Sequence, residues 1–218
     1  QGIAEGLWLF SLGIWKKVIV AEAFGGGADW GWANLPALNS TTALAVTLSY
    51  TLQLYFDFSG YTDMARGIGK MLGVTLPENF DVPYQALTIR GFWKGWHMTM
   101  TRFFTRYLYI PLGGSRRGLP RTCVNTLVIF LASGLWHGAD WSFVLWGGIH
   151  GFYQVIEDVT EKLRNKLWKA MNVKTDCFSW KFLQMTVTFV LVVFAWIFFR
   201  ADSIRDALGV IKRIVICQ

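Results

Sequence analysis

The chain has 218 residues, of which 53% are hydrophobic, 17% aromatic and only 16% charged. An ordinary soluble domain carries roughly 25% charged residues, so a water-soluble globular enzyme is excluded as the leading class and a membrane protein takes its place. The formal net charge of +7 is concentrated in one segment. No Asp or Glu occurs between Asp81 and Asp140, whereas Arg90, Lys94, Arg102, Arg106, Arg116, Arg117 and Arg121 all fall there. Basic, aromatic-rich sequence beside apolar runs reads as a headgroup-contacting region under the positive-inside rule, not as a nucleic-acid surface.

Taken in chain order, the first apolar run, 6–24, is interrupted by Lys16 and Lys17. It spans a bilayer only if both lysines reach an interface or snorkel to water. Gln1 is not a start residue and no signal-peptide pattern precedes this run, so the chain reads as a fragment. Glycines 25 to 27, Pro36 and Asn39 predict a loop, with helix resuming near Ser40 or Thr41. The run 30–56 is free of charge and long enough to cross a bilayer, which takes roughly 18 residues or more.

Leu44, Leu48, Leu52, Tyr55 and Phe56 keep helical spacing, which continues past Asp57 to Gly73, as one long helix or one broken near Ser59 and Gly60. Asp63 stands three residues before Arg66, a spacing at which helical side chains meet. Asp57 has no such local partner. Acids on an apolar helix are either interfacial or buried for a function, so both remain candidates for substrate binding.

After Pro77 and Pro83, the residues Phe92, Trp93, Trp96, Met100, Phe103 and Tyr107 recur at helical spacing, opposite Arg90, Lys94, His97, Thr101 and Thr105. This predicts one amphipathic helix lying in the membrane interface. Pro111, Gly113 and Gly114 end it. Two further charge-free runs, 122–139 and 182–199, have spanning length, and a slightly shorter one covers 141–156. The polar stretch 157–176 is expected to separate helices, and 204–216 reads as a final short amphipathic helix. The fold class is therefore all-α.

Three histidines could carry chemistry. His137 closes an apolar run, and a neutral imidazole at a helix end suits either a satisfied structural role or a general base. Gly134 and Gly138 flank it, which fits tight helix packing as well as close substrate approach. His150 sits among Gly147, Gly148 and Gly151, where a structural hydrogen bond is the simpler role. A metal site lacks a ligand pair at suitable spacing, and nucleophile-elbow and phosphate-loop motifs are absent. Cys123, Cys177 and Cys217 are odd in number without CxxC spacing, so free thiols are expected.

Four segments in order, Tyr55-Phe56-Asp57-Phe58-Ser59-Gly60-Tyr61-Thr62-Asp63-Met64-Ala65, Phe92-Trp93-Lys94-Gly95-Trp96-His97, Tyr107-Leu108-Tyr109-Ile110-Pro111-Leu112-Gly113-Gly114 and Leu135-Trp136-His137-Gly138-Ala139, together resemble the membrane-bound O-acyltransferase family. The resemblance is to its bacterial branch concerned with alginate O-acetylation and teichoic acid D-alanylation. It implies that residues 1–218 are the C-terminal part of a single membrane domain whose upstream spanning helices lie outside this chain. The implied fold is a polytopic helical bundle with interfacial amphipathic helices around a central pore, in the bacterial inner (cytoplasmic) membrane.

The implied activity is acyl transfer, of acetyl above all, from a cytoplasmic thioester such as acetyl-CoA or an acyl-carrier protein to a hydroxyl of an exported polysaccharide or envelope polymer. No bound cofactor or metal is implied. Beyond the bilayer, the donor and the polymer acceptor, the implied partner is a secreted or membrane-anchored acyltransferase. His137 takes the place of the family's Trp-His-Gly histidine and His97 that of the histidine after its Phe-Trp motif, the two catalytic candidates. Trp96, Trp136, Asp57, Asp63 and His150 are secondary candidates for substrate binding. Relatives commonly carry a basic residue where Gly95 stands and an Arg-Asp pair where Thr105 and Arg106 stand. Two other classes compete: a transporter or channel with a His/Asp proton relay, and a scaffold that passes an acyl group to a catalytic partner.

Overall fold

The computed structural model describes residues 2–216, so the thiol expected at Cys217 lies outside the described residues. Their regular structure is helical throughout. In chain order the helices are α1 Gly2–Ile14, α2 Glu22–Ala33, α3 Ser40–Met71, α4 Ile89–Gly95, α5 Met98–Phe104, α6 Leu119–His137, α7 Trp141–Ala170, α8 Phe178–Arg200 and α9 Ile204–Ile216. The chain divides into two compact units, one of residues 1–80 and 200–218, the other of residues 81–199.

In the first unit, α1 passes through a π-helical turn, Trp15–Ala21, directly into α2. The glycines at 25 to 27 are helical, and the predicted loop shrinks to the few residues around Pro36, where a missing N–H and a fixed φ end α2. The apolar run 30–56 is therefore broken and is not one span. Asn39, not Ser40 or Thr41, caps α3: its side chain accepts from the Thr42 amide at 2.9 Å and the Thr42 hydroxyl returns the bond to the Asn39 amide at 2.9 Å, a reciprocal capping box. From there α3 runs unbroken for 32 residues, without a break at Ser59 or Gly60.

The contact of α1 with α3 explains why both helices carry glycine seven residues apart. A Cβ on Gly13 would lie 2.6 Å from the Gly60 carbonyl oxygen, one on Gly60 2.7 Å from that of Gly13, and Gly6 and Gly67 repeat the relation one step along. In lipid, helices gain nothing from hiding apolar surface from each other, so close backbone approach through small residues supplies the packing. The π turn falls beside this crossing. It presents Lys17 to Asp57, and Lys16 to Asp63 at 2.6 Å. Both lysines are thus paired with acids of α3. Asp57 gains a partner from 40 residues upstream, and the Asp63–Arg66 contact exists at 3.5 Å beside the shorter one to Lys16.

Helix α9 follows the predicted bounds and is tied to the segment before α3: the Arg213 guanidinium donates to the Leu38 carbonyl at 2.9 Å and the Ser40 hydroxyl to the Arg213 carbonyl at 2.8 Å.

The second unit is organised around α6 and α7, joined by the short turn at Gly138 and Ala139. Asp140 accepts from the Ser142 amide at 2.9 Å and starts α7. Here too glycines permit contact: a Cβ on Gly134 would strike the Phe143 carbonyl oxygen, and one on Gly147 that of Phe130. Helix α7 continues through the stretch expected to separate helices and ends only at Ala170. Among the described residues two helices, α6 and α8, are long and apolar enough to cross a membrane. The exposed residues Val124, Val128, Leu131 and Leu135 make one stripe along α6, the pattern of a lipid-facing side.

The glycine crossing yields a direct test. Gly60→Leu should lower stability by about 1–3 kcal/mol through overpacking, read as a fall in thermal midpoint of the purified protein in detergent. Gly26, with nothing within 4 Å of an added Cβ, should tolerate Ala with a gain of up to about 1 kcal/mol from helix propensity.

Candidate active site

The expected amphipathic helix is two helices. Residues Ile89–Gly95 and Met98–Phe104 are each helical, but between them Trp96 is extended and His97 adopts φ 43°, ψ 54°. A non-glycine residue in this left-handed region costs energy and tends to mark a site where the surroundings impose it. Gly95 permits the break, because the backbone of Asp81 comes against its α-carbon, donating its amide to the Gly95 carbonyl at 2.9 Å where a Cβ would clash with the Asp81 oxygen. No basic side chain fits there. After α5 a π-helical turn, Thr105–Tyr109, shifts the helical phase again.

Helix α4 is positioned from α7. One Glu157 carboxylate oxygen accepts from the Ile89 amide at 2.7 Å and the other from the Arg90 amide at 3.1 Å. Asp158 pairs with the Arg90 guanidinium. Thr88 caps the same turn, its hydroxyl accepting from the Gly91 amide at 2.9 Å. These donors are among those a helix start leaves without partners, and the anion suits the positive end of the helix.

His137 is the last residue of α6. Its ring lies edge-on to Trp146 and to Phe199, both with centroids at 5.1 Å, stacks on Phe143 at 6.5 Å and meets Trp136 at 4.8 Å. No described protein group forms a hydrogen bond with its imidazole. Both nitrogens are left for a substrate.

His97 approaches from the helix break, 6.3 Å by ring centroids from Trp136. Trp136, largely exposed, thus stands beside both histidines. Partial burial lowers the His97 imidazole to about 4, so it is neutral near physiological pH.

The remaining candidates fall elsewhere. Trp96 is buried, packed on Phe92 and Trp196 at 5.5 and 5.0 Å. His150 is fully buried, and its Nδ1 accepts from the Trp93 indole N–H at 3.2 Å, which places the proton of the neutral ring on Nε2. Asp57 and Asp63 belong to the other unit, each holding a lysine. Sequence reasoning missed Trp146, Phe143 and Phe199, which hold His137, because aromatic residues on an apolar helix give no sign of what they will touch. Glu157 was equally hidden. Its partners lie 68 and 67 residues away.

A helix-end histidine inside an aromatic cage, with a second histidine on a strained helix break, defines a paired-histidine site. The model of the membrane-bound O-acyltransferase family matches residues 6–201, and the chain belongs to that family.

The peptidoglycan O-acetyltransferase of Helicobacter pylori is 42% identical over 215 residues, 99% of this chain and 39% of that protein. A probable alginate O-acetylase of Pseudomonas syringae pv. tomato is 39% identical over 206 residues, 94% of this chain and 37% of that protein. The teichoic acid D-alanyltransferase of Bacillus subtilis is 28% identical over 177 residues, 76% of this chain and 44% of that protein. The chain thus spans about two fifths of the length of the curated relatives it matches.

Two outcomes follow. Glu157→Ala should destabilise the purified protein by about 1–3 kcal/mol through two unsatisfied amides, with Glu157→Gln intermediate, both read by thermal unfolding. His97 binds a proton less readily when folded, with a value of about 4 against 6.5 for the free side chain. The unfolded chain therefore binds more protons between those values, and stability should fall as pH drops through that window. His97→Gln should flatten this part of a stability-against-pH curve.

Proposed function

We propose that the protein of which this chain is part transfers an acyl group, acetyl above all, from a thioester donor on the cytoplasmic side to a hydroxyl of an exported polysaccharide or envelope polymer. The observation that carries the reading is the His137 imidazole, held on four sides by aromatic rings with neither nitrogen spent on the protein. Names of the relatives support the reaction class: O-acetyl transfer in two of them and D-alanyl transfer in the third.

A hydroxyl attacks a thioester poorly until a base within hydrogen-bond reach takes its proton. His137 accepts that proton as the hydroxyl oxygen bonds to the acyl carbon. The carbon–sulfur bond then breaks, and the imidazolium returns the proton to the leaving thiolate, restoring the neutral ring. The aromatic cage orients the imidazole and excludes water that would hydrolyse the thioester. His97, neutral and on the far side of Trp136, hydrogen-bonds the acceptor or the thioester carbonyl.

In this reading the two units form one catalytic domain completed by upstream helices of a multi-pass inner-membrane protein, with the histidines facing a central pore. The donor is acetyl-CoA or an acylated carrier protein, and a secreted or membrane-anchored acyltransferase completes delivery to the polymer.

The test is transfer of a labelled acetyl group by the full-length protein in membranes. His137→Ala should lower the rate by about 10²–10⁴-fold, the usual worth of a general base, with membrane insertion and thermal midpoint unchanged. His97→Ala should cost less. A parental rate in His137→Ala would overturn the assignment and favour the scaffold reading, and solute flux without any acyl donor would favour the transporter.

A further inference from the structure

The second unit contains a cavity of about 660 Å³ that neither His97 nor His137 lines, within the roughly 300–1,000 Å³ of small-molecule sites. Met100, Phe104, Ile129 and Phe130 line it beside Trp93, together with the buried Thr126 and Ser133. Four threonines in all line it, and three of them spend their hydroxyl proton on a backbone carbonyl while keeping the oxygen as an acceptor. Thr101 donates to the Trp93 carbonyl at 3.3 Å, Thr105 to the Thr101 carbonyl at 2.7 Å and Thr122 to the Gly118 carbonyl at 3.0 Å. The apolar part of the lining suits a hydrocarbon chain, which needs no hydrogen-bond partner.

The charged lining is of both signs. Arg90 and Lys94, one turn apart on α4, contribute two cations, and Asp158 and Glu161, three residues apart on α7, contribute two anions. Arg90 and Asp158 satisfy each other. Lys94 and Glu161 form no ion pair or hydrogen bond among the described residues, so one ammonium and one carboxylate stay available at the same cavity. An anion alone would leave Glu161 facing it, and a cation alone would leave Lys94; a zwitterion answers both. A primary ammonium offers three N–H donors to a carboxylate, whereas a quaternary one offers none and prefers aromatic faces.

We infer that this cavity is a binding site for a zwitterionic ethanolamine phospholipid, its acyl chain against Met100, Phe104 and Phe130, its phosphate on Lys94 and its ammonium on Glu161. The site is independent of the acyl-transfer reading. It touches the histidine cluster through two residues: Trp93 donates its indole N–H to His150 and its ring meets Trp146, which packs on His137, and the Phe130 ring stacks on His150 at 6.1 Å.

The experiment is mass-spectrometric quantitation of lipids retained by the full-length protein purified from bacterial membranes in mild detergent. Phosphatidylethanolamine should be enriched over its share of the bulk membrane. The double variant Lys94→Gln, Glu161→Gln should reduce that enrichment about tenfold, the scale of losing a charge-assisted contact. Thr126→Trp, which fills the cavity, should abolish it; if that variant fails to fold, the charge variant decides alone. Added lysophosphatidylethanolamine should displace the retained lipid and glycerophosphoethanolamine should not, separating a lipid from a free headgroup. The proposal is overturned by a retained-lipid composition equal to the bulk, by enrichment of phosphatidylglycerol instead, by an undiminished ethanolamine signal in the charge variant, or by a full-length structure with another protein segment filling the cavity.

Discussion

Where two backbones pass so closely that only hydrogen fits between them, the geometry of everything attached to those helices is settled to within a fraction of an ångström. The α6–α7 approach at Gly134 and Gly147 is such a contact. It brings the end of α6 against the first turns of α7, so that His137 meets Phe143 and Trp146, and it leaves one turn of chain, at Gly138 and Ala139, to reverse direction. Lipid gives helices no hydrophobic reason to associate, so without that approach the aromatic cage has no floor. The α1–α3 crossing applies the same device in the other unit, with ion pairs from the π turn set beside it.

The second layer of organisation is electrostatic and long in range along the chain. Glu157 supplies an acceptor to each of two amides at the start of α4, and Asp158 holds the Arg90 side chain. Two adjacent acids on α7 thereby fix the short helix that precedes His97. The region without acids from 82 to 139 is thus neutralised in part from outside itself. Its charge excess is real in sequence, but at α4 it is met by carboxylates that lie well downstream.

Much of this was legible beforehand, and the parts that were not share a cause. Helical spacing located α3, charge-free runs of spanning length located α6 and α8, and an amphipathic pattern located α9, because each signal lies in residues a few positions apart. The glycines at 25 to 27 were misread as a loop, since glycine weakens a helix only modestly when the helix has neighbours to pack against. The break at His97 was invisible because hydrophobic spacing runs straight through it; the cause is the Asp81 backbone pressed on Gly95. His137 and His97 stood out by motif, whereas Trp146, Phe199 and Glu157 act through partners far away in sequence. The acids at 57 and 63 drew attention by being costly in an apolar helix, and the lysines that answer them sit in a turn whose extra residue no periodicity foretells.

The left-handed residue between α4 and α5 has a mechanical side. A left-handed backbone at a residue that is not glycine costs roughly 1–3 kcal/mol. The folded chain holds this segment bent at Trp96 and His97 by pressure from Asp81 on one side and by the anchoring of α4 on the other. Asp81, through the Gly95 carbonyl, and Glu157, through the start of α4, therefore both bear on where the His97 imidazole stands beside Trp136.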